Sequence, residues 1–243
     1  MKKWKKGLLA AGIAAAVIVL VFTIYVQQYY HSQVDVATEE REESNLQIQE
    51  ENGYIEILPK NEKTDTAFIF YPGAKVEYTS YLPLMELLAD QGIACYLMHM
   101  PCNLAVFHVD AADTILEKYS YKHYYIGGHS LGGAMAAAYL DGNADQYDGL
   151  VLLGAYSTKD LSNTDLKVLS VYGSEDQVLS REKYQEDLDN LPDSLKELVI
   201  EGGNHAYYGN YGEQKKDGTA LVTRQQQQKE TAEAIYELIQ TNK

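Results

Sequence analysis

Apolar positions along the chain follow two alternating patterns. Short runs such as "TAFIFY" (66–71), "IACYLM" (93–98) and "GLVLLGAY" (149–156) are apolar almost throughout, as strands buried on both faces are. Between them, "YTSYLPLMELLADQG" (78–92) and "LAVFHVDAADTILEKY" (104–119) carry apolar residues at helical spacing. Extended to the whole chain, this reading predicts an edge strand at 54–58 and further strands at 66–71, 93–98, 123–128, 149–156, 167–173 and 196–202. It predicts helices at 78–92, 104–119, 131–142, 181–191 and 221–240. Strands that alternate with helices imply an α/β fold: a mostly parallel sheet with helices on both faces. In such sheets chemistry gathers at the carboxyl ends of the strands.

The pattern changes before residue 53. "GLLAAGIAAAVIVLVFTIYV" (7–26) is twenty residues without a charge. At about 1.5 Å per residue it spans roughly 30 Å, one hydrocarbon core. Residues 1–6 are basic, with Lys2, Lys3, Lys5 and Lys6. The run is longer than an ordinary secretory apolar region, and no small-x-small cleavage site comes after it. It reads as an uncleaved transmembrane signal-anchor over 7–26, a cleaved signal peptide being the alternative. By the charge rule the lysines stay in the cytoplasm. This predicts a single-pass protein of the cell membrane with its globular part extracytoplasmic. Residues 27–52 are polar and acidic and read as a stalk; residues 53–243 form the domain.

Charge narrows the partners. The chain carries a net charge of −15, and residues 31–243 carry −19 once the four leading lysines are set aside. A nucleic-acid surface is excluded, and so is adhesion to an anionic membrane surface by charge. The two cysteines, Cys95 and Cys102, stand on and just past one strand, too far apart along an extended segment to bridge; both are expected to be unpaired. No metal-ligand constellation and no dinucleotide or phosphate loop is legible, so no metal and no cofactor is expected. The run Gln225–Gln228 reads as an exposed helix face.

The chemistry lies in "GGHSLGG" (127–133). Gly128 to Gly132 match G-x-S-x-G, and the motif comes after a predicted strand and opens a predicted helix, the context that gives it meaning. Ser130 would sit at the tip of a sharp turn, with glycine at 128 and 132 because a side chain there would strike neighbouring backbone. A serine needs a base, and the base an orienting acid, in the order Ser, Asp or Glu, His. "KVLSVYG" leads into Ser174-Glu175-Asp176, and "KELVIEG" into Gly203-Asn204-His205. Asp176 is the expected acid, with Glu175 as its alternative, and His205 the expected base. His99 ends a strand and could face the pocket; His129 should point into packing. The oxyanion donors are expected to be the Leu131 N–H and, from "YPGAKVE" (71–77), the Ala74 N–H, with Gly73 its near neighbour. Lys75 and Glu77 would shape the rim of that loop.

These residues resemble the alpha/beta-hydrolase superfamily, most closely its small bacterial dienelactone-hydrolase-like or carboxylesterase-type members, over residues 53–243. The resemblance rests on "YPGAKVE", "GGHSLGG", "GSEDQV" and "GGNHAYYGNYG". It implies the alpha/beta-hydrolase fold and a triad at Ser130, Asp176 and His205. Two features depart from the family pattern. Pro-Gly stands where relatives often have His-Gly, and only "STKDLSNTDL" (157–166) separates the sixth core strand from the acid strand, too little for a cap domain. Tyr207, Tyr208 and Tyr211 come after the base and would form part of the rim. Gln214 and Asp217 receive no role. The implied function is hydrolysis of a small-molecule or lipid-like carboxylic ester. Acyl transfer to envelope components and a catalytically silent binding protein are the alternatives.

Overall fold

The computed structural model describes residues 2–34, 45–60 and 63–241. Eight strands form one sheet: β1 (Leu46–Glu51), β2 (Tyr54–Pro59), β3 (Thr66–Tyr71), β4 (Ala94–Met98), β5 (His123–His129), β6 (Gly149–Leu153), β7 (Lys167–Gly173) and β8 (Lys196–Ile200). Their order is β1-β2-β4-β3-β5-β6-β7-β8. The β1–β2 and β2–β4 pairs are antiparallel and the rest are parallel. The helices are α1 (Lys2–Gln27), α2 (Leu82–Ala89), α3 (Asp113–Lys118), α4 (Leu131–Leu140), α5 (Arg181–Glu186) and α6 (Arg224–Gln240).

Side chains alternate across each strand, so the sheet feeds two apolar layers. One layer joins Phe68, Phe70, Cys95 and Val151 to Leu82 and Leu88 of α2 and Ile235 and Leu238 of α6. The other joins Ile69, Ile126, Leu150 and Leu152 to Ile115 of α3 and Ala136, Ala137 and Leu140 of α4. The central strands β3, β4 and β6 are buried along their length, which is why they read as unbroken apolar runs. Cys95 is buried, Cys102 is exposed, and neither forms a disulfide.

The structure corrects several expectations. The strand at 54–58 is not an edge: β2 is paired on both sides, and the edge is β1. β1 falls inside the predicted stalk because its sequence, "LQIQEE", has apolar residues only at Leu46 and Ile48, on one face. Residues 35–44 of that stalk lie outside the described residues. Residues 30–34 also pack on the domain, where Tyr30 forms a parallel bridge with Val76. The helix expected over 104–119 is reduced to α3. The Tyr71 hydroxyl donates to the Val109 carbonyl and accepts from the Ala112 N–H, holding in turns the backbone that a longer helix would use. The helix expected over 181–191 is α5 and then a 3-10 turn at Leu188–Asn190. The last helix starts at Arg224, where Thr223 and Gln226 form a reciprocal cap. α1 is long and apolar enough to cross a membrane, and its apolar stretch is exposed.

Candidate active site

Three sheet-end turns build the site. The first lies between β5 and α4. Ser130 takes φ 52° and ψ −122°, a backbone that L-residues adopt only where surrounding structure imposes it. Its N–H donates to the Leu153 carbonyl, 2.9 Å, which ties the turn to β6. The approach is too close for side chains: a Cβ on Gly128 would lie 2.5 Å from the Tyr71 carbonyl oxygen, and one on Gly132 would strike the Tyr71 and Pro72 carbonyls. The second turn comes after β7. Asp176 is buried there, its Oδ1 accepting the Val178 and Leu179 N–H groups at 2.9 and 2.8 Å. The third comes after β8 and carries His205, also buried.

His205 Nδ1 lies 2.8 Å from Asp176 Oδ2. Burial alone would raise the Asp176 carboxyl. The hydrogen bond and charge of His205, with the Leu179 and Val178 amides, outweigh it and hold the carboxyl below its ordinary range. Glu175 is not the partner; its carboxylate accepts from the Ser174 hydroxyl. Ser130, Leu131 and His205 line one cavity of about 370 Å³, together with Met135, Tyr156 and Val178. No hydrogen bond joins Ser130 to His205, and His205 Nε2 has no partner among the described residues. His205 Nε2 is thus unpaired at the cavity that Ser130 also lines. Only irregular chain separates β6 from β7, so no cap domain is inserted between them.

The oxyanion candidates differ in how they are held. Leu131 opens α4, where first-turn N–H groups have no helical acceptor. On the loop after β3, the Gly73 N–H is already spent on the Tyr81 hydroxyl, 3.1 Å. That leaves Ala74 as the donor the loop can offer. Its neighbour Lys75 has φ 58°. It is held by its N–H to the Asn103 carbonyl and its carbonyl from the Tyr30 N–H, at 2.8 and 2.7 Å. Lys75 and Glu77 are therefore not a simple rim. The Glu77 carboxylate accepts the Ser32 N–H, and Lys75 Nζ lies 4.2 Å over the Tyr25 ring. Both hold the chain that leaves α1.

His129 packs inward, as its place in the motif predicts, but against the base itself, with ring centroids 4.4 Å apart. The Tyr81 hydroxyl accepts from Gly73 and lies 2.7 Å from His129 Nδ1. With the hydroxyl proton directed to Nδ1, the imidazole proton sits on Nε2. Burial first, and then the nearby His205 ring, hold His129 well below the ordinary imidazole range, while the His205 backbone carbonyl pulls weakly the other way. A neutral ring here spares His205 a like charge when it becomes protonated.

The base loop has supports that sequence reasoning missed. Asp217 accepts the Ala206 N–H at 2.8 Å, the Gly218 N–H at 2.8 Å and the Gln177 N–H at 3.3 Å, so it links the acid loop to the base loop. Gln227 of α6 accepts the Asn204 N–H and donates to the Asn204 carbonyl, at 3.0 and 2.7 Å. Gln227 and Gln228 are buried, so the glutamine run is not wholly an exposed face. Tyr208 and Tyr211 are interior residues rather than rim, and Tyr207 bonds Glu213 and stacks under Arg224. Gln214 accepts from the Tyr211 hydroxyl. His99 does not reach the cavity; it is exposed and stacks on Tyr78. A run of identical letters gives no sign of which glutamine turns inward, and Asp217 meets the base only through the fold. Among the described residues no group of three or more His, Cys, Asp or Glu could hold a metal.

Known proteins share this architecture. The carboxyl esterase 2 of the mycorrhizal fungus Tuber melanosporum superposes with a TM-score of 0.62 at 12% identity, covering 87% of this chain and 90% of its own. Est1E from Butyrivibrio proteoclasticus, with ferulic acid bound, gives a TM-score of 0.59 at 14% identity, covering 80% and 96%. An alpha/beta hydrolase enzyme from the metagenome of sediments of the Mar Chica lagoon, Morocco, gives 0.61 at 13% identity, covering 81% and 99%. No curated protein matches the sequence. The sequence profile of the Alpha/beta hydrolase family matches residues 67–229, two thirds of the length, and together with the sheet order and the turn at Ser130 this match settles the family: the chain belongs to the alpha/beta hydrolases.

Proposed function

We infer that this chain is a serine hydrolase that cleaves carboxylic esters through an acyl-enzyme, held in the cell membrane by residues 7–26 with its domain outside the cytoplasm. The observation that carries the reading is the buried His205–Asp176 pair, 2.8 Å apart, behind a cavity that His205 shares with Ser130. Ser130 Oγ attacks the ester carbonyl while His205 Nε2 takes its proton. Asp176 holds Nδ1–H and stabilises the imidazolium. The Leu131 and Ala74 N–H groups receive the negative charge that develops on the carbonyl oxygen. His205 returns the proton to the leaving alkoxide, and the C–O bond breaks to give the alcohol and the acyl-Ser130 ester. Water then attacks that ester, His205 takes its proton, and Ser130 leaves with the proton restored. The lysines before the apolar run support the orientation.

The test is Ser130→Ala. Turnover of a 4-nitrophenyl ester should fall by about 10³–10⁶ while the circular dichroism stays that of the wild type, and a fluorophosphonate probe should no longer label the chain. Turnover that survives the substitution sinks the mechanism.

A further inference from the structure

The anchor does not lead into a free stalk. Soon after Tyr25, the chain is sewn into the domain. Tyr30 donates its N–H to the Lys75 carbonyl at 2.7 Å and accepts the Glu77 N–H at 2.9 Å, bracing the loop that carries Ala74. The Gln33 N–H donates to the Asn210 carbonyl at 2.8 Å, and the Tyr30 hydroxyl accepts the Lys215 N–H at 3.0 Å. Residues 30–33 thus join the oxyanion loop to the segment beyond the base.

The end of α1 itself touches the same corner. Phe22 packs edge-on against Phe107, ring centroids 6.0 Å apart, and Lys75 Nζ covers Tyr25. Residues 22 and 25 are one turn apart and share a helix face. Phe22 lies four residues, about 6 Å along the axis, inside the end of the apolar run at Val26. A side chain packed on Phe22 therefore lies at or below the boundary of the hydrocarbon that α1 spans. Val106 and Phe107 are 44% and 52% exposed, on a turn beside the Ser130 helix α4. An exposed aliphatic–aromatic pair is costly in water and favoured at that depth. Charge does not draw this acidic domain to lipid; apolar contact and the short connection do. Lys75 and Tyr25 sit where interfacial cations and aromatic rings collect.

We propose that the domain is seated directly on the bilayer through the end of α1 and the Val106–Phe107 turn, and that the ester it takes is an amphiphile dissolved in that bilayer. The proposal rests on the esterase and membrane-anchor readings above. It deepens them in two ways: the Ala74 donor is one residue from a side chain that touches the anchor, and the cavity wall offers Leu131, Ala134, Met135, Val178 and Leu179 to an acyl chain.

The experiment uses the full chain in phosphatidylcholine vesicles, with Trp4→Phe to remove the single tryptophan and Phe107→Trp as reporter. Lipids brominated near the headgroup should quench this reporter severalfold, and a flexible insertion of about twelve residues between Gln27 and Gln28 should abolish the quenching. The same insertion should lower hydrolysis of 4-nitrophenyl palmitate dissolved in the vesicles about tenfold and leave 4-nitrophenyl acetate in the water unchanged. Chains that float with the vesicles but leave the reporter unquenched, whether solvent-exposed or covered by a second copy, overturn the seating. Equal loss on both esters overturns the bilayer-borne substrate. Chains that do not float overturn the anchor and the seating together, and a wild type as inert as Ser130→Ala toward both esters overturns the esterase reading while the quenching still judges the seating.

Discussion

His129 shows how a residue beside the candidate nucleophile Ser130 can matter through its neighbours. It is neutral in the folded chain because burial and the neighbouring His205 ring keep its proton affinity low. In the unfolded chain it titrates as an ordinary imidazole near pH 6.5. The unfolded state therefore binds the extra proton first, and stability is lost as pH falls below about 6.5, by up to about 1.4 kcal/mol per pH unit. Denaturation midpoints at pH 7.5, 6.5 and 5.5 should decline in the wild type, and His129→Gln should flatten that decline. An unchanged slope in the variant would contradict the assignment. Asp176 acts in a separate window. Its lowered carboxyl contributes stability above about pH 3.9, lost as pH falls further through its folded value. The candidate triad Ser130, Asp176 and His205 is legible from the strand–turn–helix context of the serine and the ends of two later strands. Nothing in the letters points to Tyr81, whose hydroxyl joins the loop after β3 to His129 across 48 positions.

Elements meet at the loop that carries His205. β8 ends at Ile200 and α6 begins at Arg224; between them lies one 3-10 turn, Ala206–Tyr208, and the chain around it is held by Asp217 and Gln227. Asp217 receives amide protons from both the acid and base loops, a task for a carboxylate with two acceptor oxygens. Asp217→Asn places an amide donor against one of those N–H groups. We expect kcat to fall about tenfold with KM nearly unchanged, since small misplacement of a base costs rate before it costs binding. A variant with wild-type kcat would reduce Asp217 to a surface turn residue. Helix ends are less legible than helices themselves. The periodicity of 104–119 is genuine, but Tyr71 from β3 captures the backbone at Val109 and Ala112. β1 is hidden because an edge strand needs only one apolar face and four of its six residues are polar or charged.

Across the whole molecule, the connection from α1 belongs to the domain. Five hydrogen bonds hold Tyr30, Ser32 and Gln33 to residues 75, 77, 210 and 215, each contributing about 0.5–1.5 kcal/mol before the entropy of ordering is subtracted. A chain beginning at residue 28 should keep turnover of a soluble ester. One beginning at residue 45 should melt about 5–10 °C lower and lose most of its kcat, because the loop bearing Ala74 loses two of its backbone partners. Equal melting temperatures for the two truncations would show that the connection is dispensable.

Neighbouring letters alone dictate the alternation of strands and helices, the turn at Ser130, and the order in which serine, acid and histidine arrive. These are local matters: apolar period, tolerance for glycine, and the residues at the end of each strand. Packing between distant segments dictates the rest. It selects the oxygen that holds His205, occupies Gly73 while leaving Ala74 free to donate, and turns Lys75 and Glu77 toward α1 and the chain that leaves it. The partners in those contacts stand 8 to 50 positions apart, and no pattern in one stretch of chain records what another stretch will bring against it.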